Sequence, residues 1–276
     1  PPSPPRGCNV AKLKIADIHG QRIVQGDSFS FLGTVPGQFD AVITDPPYSS
    51  GGLYRADRAG SSSEKYVQQG QTKTYDEFSG ESKSELVQLK WQWLWMEQAH
   101  QLTRQAGYLL VFSDWRMLGV TIHAMQMAGW TQRGLCVWDK GLATRAPHKG
   151  YARHQCEYIV WGTKGACKKA THAGPFPGCY QYPVNHHHKN HMTAKPVGLL
   201  RDLVRWLPTG SSILDPFAGG GSTAAACLLE GSQCVTVEKY PHIHAKAVSL
   251  VQEAATAPGH PKFARRPYRK AEEVQP

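Results

Sequence analysis

The sequence contains no CxxC pair, no internal repeat, no heptad pattern and no apolar run near the roughly 18 residues that a membrane-spanning helix requires. Its seven cysteines, at 8, 136, 156, 167, 179, 227 and 234, form an odd set, which points to reduced thiols rather than a disulfide framework. The N-terminus also lacks the apolar stretch of a signal peptide, so we expect a cytoplasmic protein without a membrane segment. Residue 1 is proline, and we place the native start upstream and treat residues 1–10 as a disordered tail. Acidic residues are scarce where basic ones are dense. Residues 131–195 hold ten Lys and Arg against only Asp139 and Glu157, and residues 256–276 hold five against two Glu. These two segments together carry +11 against −1 for the rest of the chain, the footprint of a polyanion-binding face.

What is present fits one sizeable core: 276 residues, 41% of them hydrophobic and only 19% charged. Short apolar runs alternate with longer amphipathic stretches, the pattern of an α/β sheet. Strands are expected at Arg22–Val24, Phe39–Thr44, Tyr108–Ser113, Gly134–Asp139, Glu157–Gly162, Ser212–Leu214 and Cys234–Val237, about seven in all. Helices are expected from Ser82 or Ser84 toward a stop at Gly107, then over Met117–Ala128, Pro196–Leu207, Thr223–Glu230 and Ile243–Ala254. The stretch 49–84, rich in Ser, Gly and charge, suits a mobile loop. The Pro-rich basic tail 258–276 suits disorder or docking on a partner. Trp91, Trp93 and Trp95 cannot share one helical face, so some of them are expected to cover a partner surface, as in a homodimer.

Two motifs carry chemistry. Asp215-Pro216-Phe217-Ala218-Gly219-Gly220-Gly221-Ser222-Thr223 lies between a strand and a helix, with Glu238 ending the next strand. Glycines allow a ligand to approach the backbone, a helix start offers free N–H groups, and an acid about 20 residues on can accept hydrogen bonds from ribose hydroxyls. No Lys follows the glycines as in a P-loop, and the GxGxxG spacing is absent. The second motif, Asp45-Pro46-Pro47-Tyr48, follows a strand at the edge where open α/β sheets bind ligands. A carboxylate and a proline carbonyl supply two acceptors beside an aromatic ring. That set suits a planar exocyclic amine on a base, whose two hydrogens it can hold while the nitrogen lone pair faces an electrophile.

Together these residues resemble the S-adenosylmethionine-dependent amino-methyltransferases of DNA, over roughly residues 20–250. The resemblance implies a Rossmann-like methyltransferase fold, a mostly parallel sheet with helices on both faces, in a single catalytic domain over 11–257. It makes Asp45, Pro46, Pro47 and Tyr48 the catalytic motif. The cofactor S-adenosyl-L-methionine would be held by Asp215, Phe217, Ala218, Gly219, Gly221, Ser222, Thr223 and Glu238, with Asp45 and Asp27 nearby. His191, Thr193, Lys195 and Pro196 resemble the segment that meets its methionine end. The catalytic motif precedes the cofactor loop, which resembles the circularly permuted beta subgroup, and Asp rather than Ser at 45 favours adenine N6 over cytosine N4. Duplex DNA is the implied partner, in a restriction–modification setting, with an RNA adenine methyltransferase as a further alternative.

The same resemblance puts target recognition at 140–190, with Lys140, Arg145, His148, Lys149, Arg153, Lys164, Lys168 and Lys169 as DNA contacts, chiefly to phosphates. The target nucleotide would be flipped out of the duplex, stacked on Tyr48 and methylated by direct in-line transfer. No metal is expected. Cys167, His172, Cys179 and His186–His188 match no closed zinc spacing, and Trp115 is left outside the core site although it ends a strand on the same edge.

Overall fold

A computed structural model describes residues 14–48, 84–142, 144, 148–183 and 195–266. The expectations for residues 1–10, for nearly all of loop 49–84, for Arg145, His186–His188, His191 and Thr193, and for the end of the basic tail fall outside these residues.

One nine-stranded sheet organises the chain. In sequence order the elements are β1 (Lys14–Ile18), β2 (Gln21–Gln25), α1 (Ser28–Leu32), β3 (Phe39–Thr44), α2 (Glu85–Gln101), β4 (Thr103–Ser113), α3 (Leu118–Met127), β5 (Thr131–Asp139) and β6 (Cys156–Thr163), followed by β7 (Cys179–Gln181), α4 (Val197–Val204), β8 (Ser212–Asp215), α5 (Ser222–Leu229), β9 (Gln233–Glu238) and α6 (Pro241–Thr256). The strand order is β1-β2-β9-β8-β3-β4-β6-β5-β7. Strands β2, β9, β8, β3 and β4 are mutually parallel, whereas β6 runs antiparallel to both β4 and β5.

The strands are apolar on both faces because helices cover both. Ala41, Ile43, Leu110 and Phe112 pack toward α4, α5 and α6, and Val42, Leu109 and Val111 pack toward α1, α2 and α3. Helix α2 shows the logic of its sequence. Ser84 caps it by accepting from the Val87 amide, and Gln88, Gln92, Trp95, Met96 and Ala99 recur at helical spacing on its buried side. The helix ends at Gln101 rather than at Gly107, because β4 begins at Thr103.

Trp95 is fully buried, and Trp91 packs on Phe217 and Phe29 at ring-centroid separations of 5.2 and 6.1 Å. These two tryptophans therefore serve the chain's own core rather than a partner surface. Leu86, Val87 and Leu94 are the large apolar residues that α2 exposes.

Three elements had no expectation. β1 pairs only along the sheet edge with β2 and leaves alternate residues exposed, β7 has three residues, and α1 has five. The start of the basic tail is also more ordered than expected. Pro261–Phe263 forms a 3-10 turn, Phe263 is fully buried, and its carbonyl accepts from Arg201 Nη1 at 2.9 Å. Arg265 Nε donates to Asp202 at 2.5 Å, and the Arg266 amide to the Tyr182 hydroxyl at 2.9 Å. A Cβ on Gly198 would collide with the Ala264 carbonyl, so the bare helix surface at that glycine is what lets the chain cross α4. Phe263→Ala should lower stability by about 3 kcal/mol, the usual cost of emptying a buried Phe site. A shift of the urea midpoint to lower concentration checks this.

Candidate active site

The crossovers from β3 to β4 and from β8 to β9 leave the sheet centre in opposite directions, so the C-terminal ends of β3 and β8 form a topological switch point. Asp45 follows β3 and the glycine turn follows β8. Motifs about 170 residues apart in sequence thereby become neighbours. Asp215, 2% exposed, ties them together: it accepts from the Thr44 hydroxyl at 2.6 Å and from the Phe217 amide at 3.0 Å, with a further hydrogen bond from Thr223. Burial pushes its carboxyl up to about 6 despite those donors. Asp215 thus braces the turn from inside.

The glycines divide their work. A Cβ on Gly221, at φ +85°, would lie 2.8 Å from Ala247 Cα and Cβ, so this residue permits the close approach of α5 and α6. A Cβ on Gly219, at φ +50°, would meet nothing within 4 Å among the described residues, so that side of the turn is open to a ligand. Glu238 stands beside it at the end of β9. Its carboxylate accepts from the Tyr240 amide at 2.8 Å and also from the amides of Gly219 and Lys239, yet burial pushes it up to about 7. Asp27 follows the adjacent strand β2, and Gly26 donates to the Glu238 carbonyl at 2.9 Å. The Asp27 side chain caps α1, accepting from the Phe29 and Ser30 amides.

At Asp45 the structure assembles a chain of alternating charges. Tyr48 donates its hydroxyl to Asp45 Oδ1, and Lys195 Nζ donates to Oδ2 at 2.5 Å. The same ammonium forms an ion pair with Glu157 Oε2 at 3.3 Å, while Glu157 Oε1 accepts from Lys140 Nζ at 3.2 Å. Lys195 is 8% exposed and sits 5.3 Å from the ring centres of Tyr48 and Phe112 and 5.9 Å from that of Trp138. Burial would lift Glu157, but the two ammoniums outweigh it and hold its carboxyl below the usual range. Asp45 moves the other way: burial raises it, Lys195 opposes, and Glu157 reinforces the rise. The Asp45 side chain still keeps 27% exposure, enough for a substrate to reach it.

Glu157 and Gln88 were not among the expected site residues. Gln88, fully buried on α2, donates Nε2 to the Pro47 carbonyl at 2.8 Å and so pins the Asp45–Tyr48 loop. The signal for Glu157 was an acid opening the apolar run Glu157–Gly162 inside the most basic segment of the chain.

The basic residues separate into two groups. The segment 140–155 joins β5 to β6 at the Asp45 edge, and there His148, Lys149 and Arg153 are exposed. Lys140 belongs to the ion chain instead of to an outer surface. Lys164, Lys168 and Lys169 come after β6, whose far end pairs with the start of β4, the edge opposite Asp45. Lys164 Nζ donates to the His100 and Thr103 carbonyls at 2.7 and 2.9 Å, closing the end of α2, and Cys167 lies against Tyr108 midway along β4. These three lysines are therefore not brought to the site, because an antiparallel strand carries them away from it.

The family model for DNA methylases matches residues 39–249, and the chain belongs to that family. It is 29% identical over 227 residues to the methylase YubD of Escherichia coli K12, covering 81% of this chain and 86% of that protein. Among solved structures it resembles the DNA modification methylase TTHA0409 of Thermus thermophilus complexed with S-adenosyl-L-methionine, with a TM-score of 0.62, 20% identity, and 87% and 96% of the two chains covered. The cytosine-N4-specific PvuII DNA methyltransferase gives a TM-score of 0.62 at 16% identity, over 84% and 86%. The fold is that of the Rossmann-like methyltransferases, and the Thermus thermophilus neighbour holds S-adenosyl-L-methionine.

The residues present fit this cofactor. The open side of Gly219 and the buried carboxylate of Glu238 make a cradle at the same sheet edge as Asp45. Among the described residues no helix is long and apolar enough to cross a membrane.

The raised carboxyl of Glu238 has a cost that can be measured. Its folded value of about 7 exceeds its ordinary 4.5, so its contribution to stability is fully present below about 4.5 and is lost as pH rises through 7. Glu238→Gln should make the ligand-free protein more stable than wild type at about pH 8, by a few kcal/mol at most. That advantage should shrink toward zero by about pH 5, as read by urea melts at both values.

Proposed function

We propose that the chain transfers a methyl group from S-adenosylmethionine to the exocyclic N6 amine of adenine in a specific duplex DNA sequence. The observation that carries this is the Asp45 carboxylate, partly exposed and held by Tyr48 and Lys195, at the same sheet edge as the Gly219–Glu238 turn, across the paired strands β3, β8 and β9. The preference for adenine rests on the resemblance, in which Asp rather than Ser opens the tetrapeptide.

The cofactor, when bound, supplies a methyl group already activated on a sulfonium, so the protein's part is to bind, orient and exclude water. Glu238 would accept from the ribose hydroxyls, and the side of the turn opened by Gly219 would leave room for the ligand. Asp215 and Phe217 hold the turn, and Ser222 and Thr223 open the helix behind it, while Lys195 and Pro196 close the segment that would face the methionine end. A base within a duplex cannot reach Asp45, so the target nucleotide is flipped out at a cost of about a few kcal/mol. Asp45 and the Pro46 carbonyl then hold the amine hydrogens, and Tyr48 offers its ring to the base. The fixed peptide geometry of Pro46 and Pro47, with Gln88 on the Pro47 carbonyl, keeps these acceptors aimed at one point.

DNA then lies across the Asp45 edge, where His148, Lys149 and Arg153 meet phosphates. Trp115, half exposed and stacked on His154 with ring centres 6.1 Å apart, borders the same edge.

Asp45→Ala should abolish transfer of labelled methyl to unmethylated duplex DNA while cofactor affinity, measured calorimetrically, changes little. Nucleoside analysis of the wild-type product should give N6-methyladenine. N4-methylcytosine would keep the reaction and overturn the base, and labelling of RNA in preference to duplex DNA would overturn the substrate. The charge placement has its own check in the salt dependence of DNA binding. Replacing Lys149 and Arg153 with Ala should flatten the slope of log K against log salt by about 2, near 0.9 for each phosphate no longer neutralised. Replacing Lys168 and Lys169 should leave that slope unchanged.

A further inference from the structure

The ion chain at Asp45 contains more charge than holding an amine requires. Lys195 lies against the carboxylate that receives the target nitrogen and Lys140 lies beyond Glu157; both ammoniums are largely buried, and both face Glu157. Resting on the proposed methyl transfer, whether to an adenine or a cytosine amine, the chemistry sets a charge requirement. As the N–C bond forms and the S–C bond breaks, the electron pair of the latter goes to sulfur, and positive charge passes to the amine nitrogen until a proton leaves it for solvent. A surplus of fixed positive charge at that point opposes the transfer. With Asp45, Glu157, Lys140 and Lys195 all ionised, the four charges cancel. Without Glu157 the same pocket carries one net positive charge.

We propose that Glu157 is a positioning residue of the methyl-transfer reaction: it neutralises the Lys140–Lys195 pair and holds Lys195 at the rear of Asp45, so that the catalytic carboxylate keeps its acceptor character. Three geometric observations support this. Glu157 Oε2 is buried with the Lys195 ammonium 3.3 Å away, so the two opposite charges are in direct contact. Lys195 has a rigid box of Tyr48, Phe112 and Trp138 around it, which fixes where its charge falls. Glu157 stands second in β6, one place beyond the Ser113–Tyr158 register pair that joins this strand to β4, so its place is set by the sheet rather than by a loop.

The groups that face Asp45 define what the pH dependence should do. They are Tyr48 on its own loop, Lys195 ahead of α4, Glu157 on β6 and, at longer range, Asp215 on β8. The Glu157 charge raises the Asp45 carboxyl, so its removal lowers it.

The test compares wild type, Glu157→Gln, Glu157→Asp and the double variant Glu157→Gln with Lys140→Gln, all as full chains on unmethylated duplex DNA. Glu157→Gln should lower kcat by about 10- to 100-fold, leave calorimetric affinity for S-adenosylmethionine within about twofold, and move the acid limb of kcat to lower pH. Glu157→Asp should recover part of the loss. The double variant, which restores the charge balance, should be more active than Glu157→Gln alone. Wild-type kcat in Glu157→Gln, or a double variant that loses further activity, would overturn the assignment in favour of a packing role. If wild type itself transfers no methyl to DNA, the failure lies with the proposed reaction and not with Glu157, whose effect on the Asp45 titration then reads out separately through the pH dependence of urea melts.

Discussion

The pairing of β3 with β8 at the centre of the sheet is the constraint on which the site depends. It places Thr44 against Asp215 at 2.6 Å, and so fixes the strand end that carries Asp45 relative to the turn that carries Gly219. Every other part of the site is hung from this pair. Glu238 arrives because β9 lies next to β8, and Asp27 because β2 lies next to β9. Glu157 arrives from the other side, on β6 beyond β4. The buried Asp215 carboxylate has a structural task that a glycine-turn motif does not announce, since it satisfies hydroxyl and amide donors from two halves of the chain at once.

Electrostatics then decides what this scaffold can do. Removing one member of a buried ion pair leaves an uncompensated charge, at a cost of about 3–5 kcal/mol, so the four-member chain from Lys140 to Asp45 holds together as a unit. Its alternation of sign also explains why the two carboxyls move in opposite directions although both are packed among protein atoms. Glu157 faces two ammoniums and is held down, whereas Asp45 faces one ammonium and a second carboxylate and is raised. The two acids share a lysine without sharing a role.

Much of this was legible in the residues. The apolar runs of β3, β4 and β9 are buried on both faces and so read continuously, and the two motifs at their ends carried the family resemblance. What could not be read has physical causes. Strand direction leaves no trace in a short apolar run, so Lys164, Lys168 and Lys169 look continuous with Lys149 and Arg153 until the antiparallel course of β6 parts them. Edge elements such as β1 and β7 bury too little to stand out. Lys140 sits in a basic segment and looks like a surface charge, because burial of a lysine stem and head becomes evident only with its partner Glu157. Gln88 looks like an ordinary polar helix residue, yet it turns inward for the Pro47 carbonyl.

The central strand pair also governs how the molecule comes into being. Its two members are separated by about 170 residues of chain, and the turn that follows β8 gains its hydrogen bonds to Val237 and Glu238 only when β9 has been laid down beside it. Contacts of such long range form late, because the entropy of closing the intervening loop must be met before they contribute. The first two thirds of the chain can build β3 through β6 and display Asp45, but without β8 and β9 it has neither a neighbour for Thr44 nor a cradle. During synthesis the site therefore stays incomplete until the C-terminal portion of the chain has emerged, and its two halves meet only with completion of the sheet.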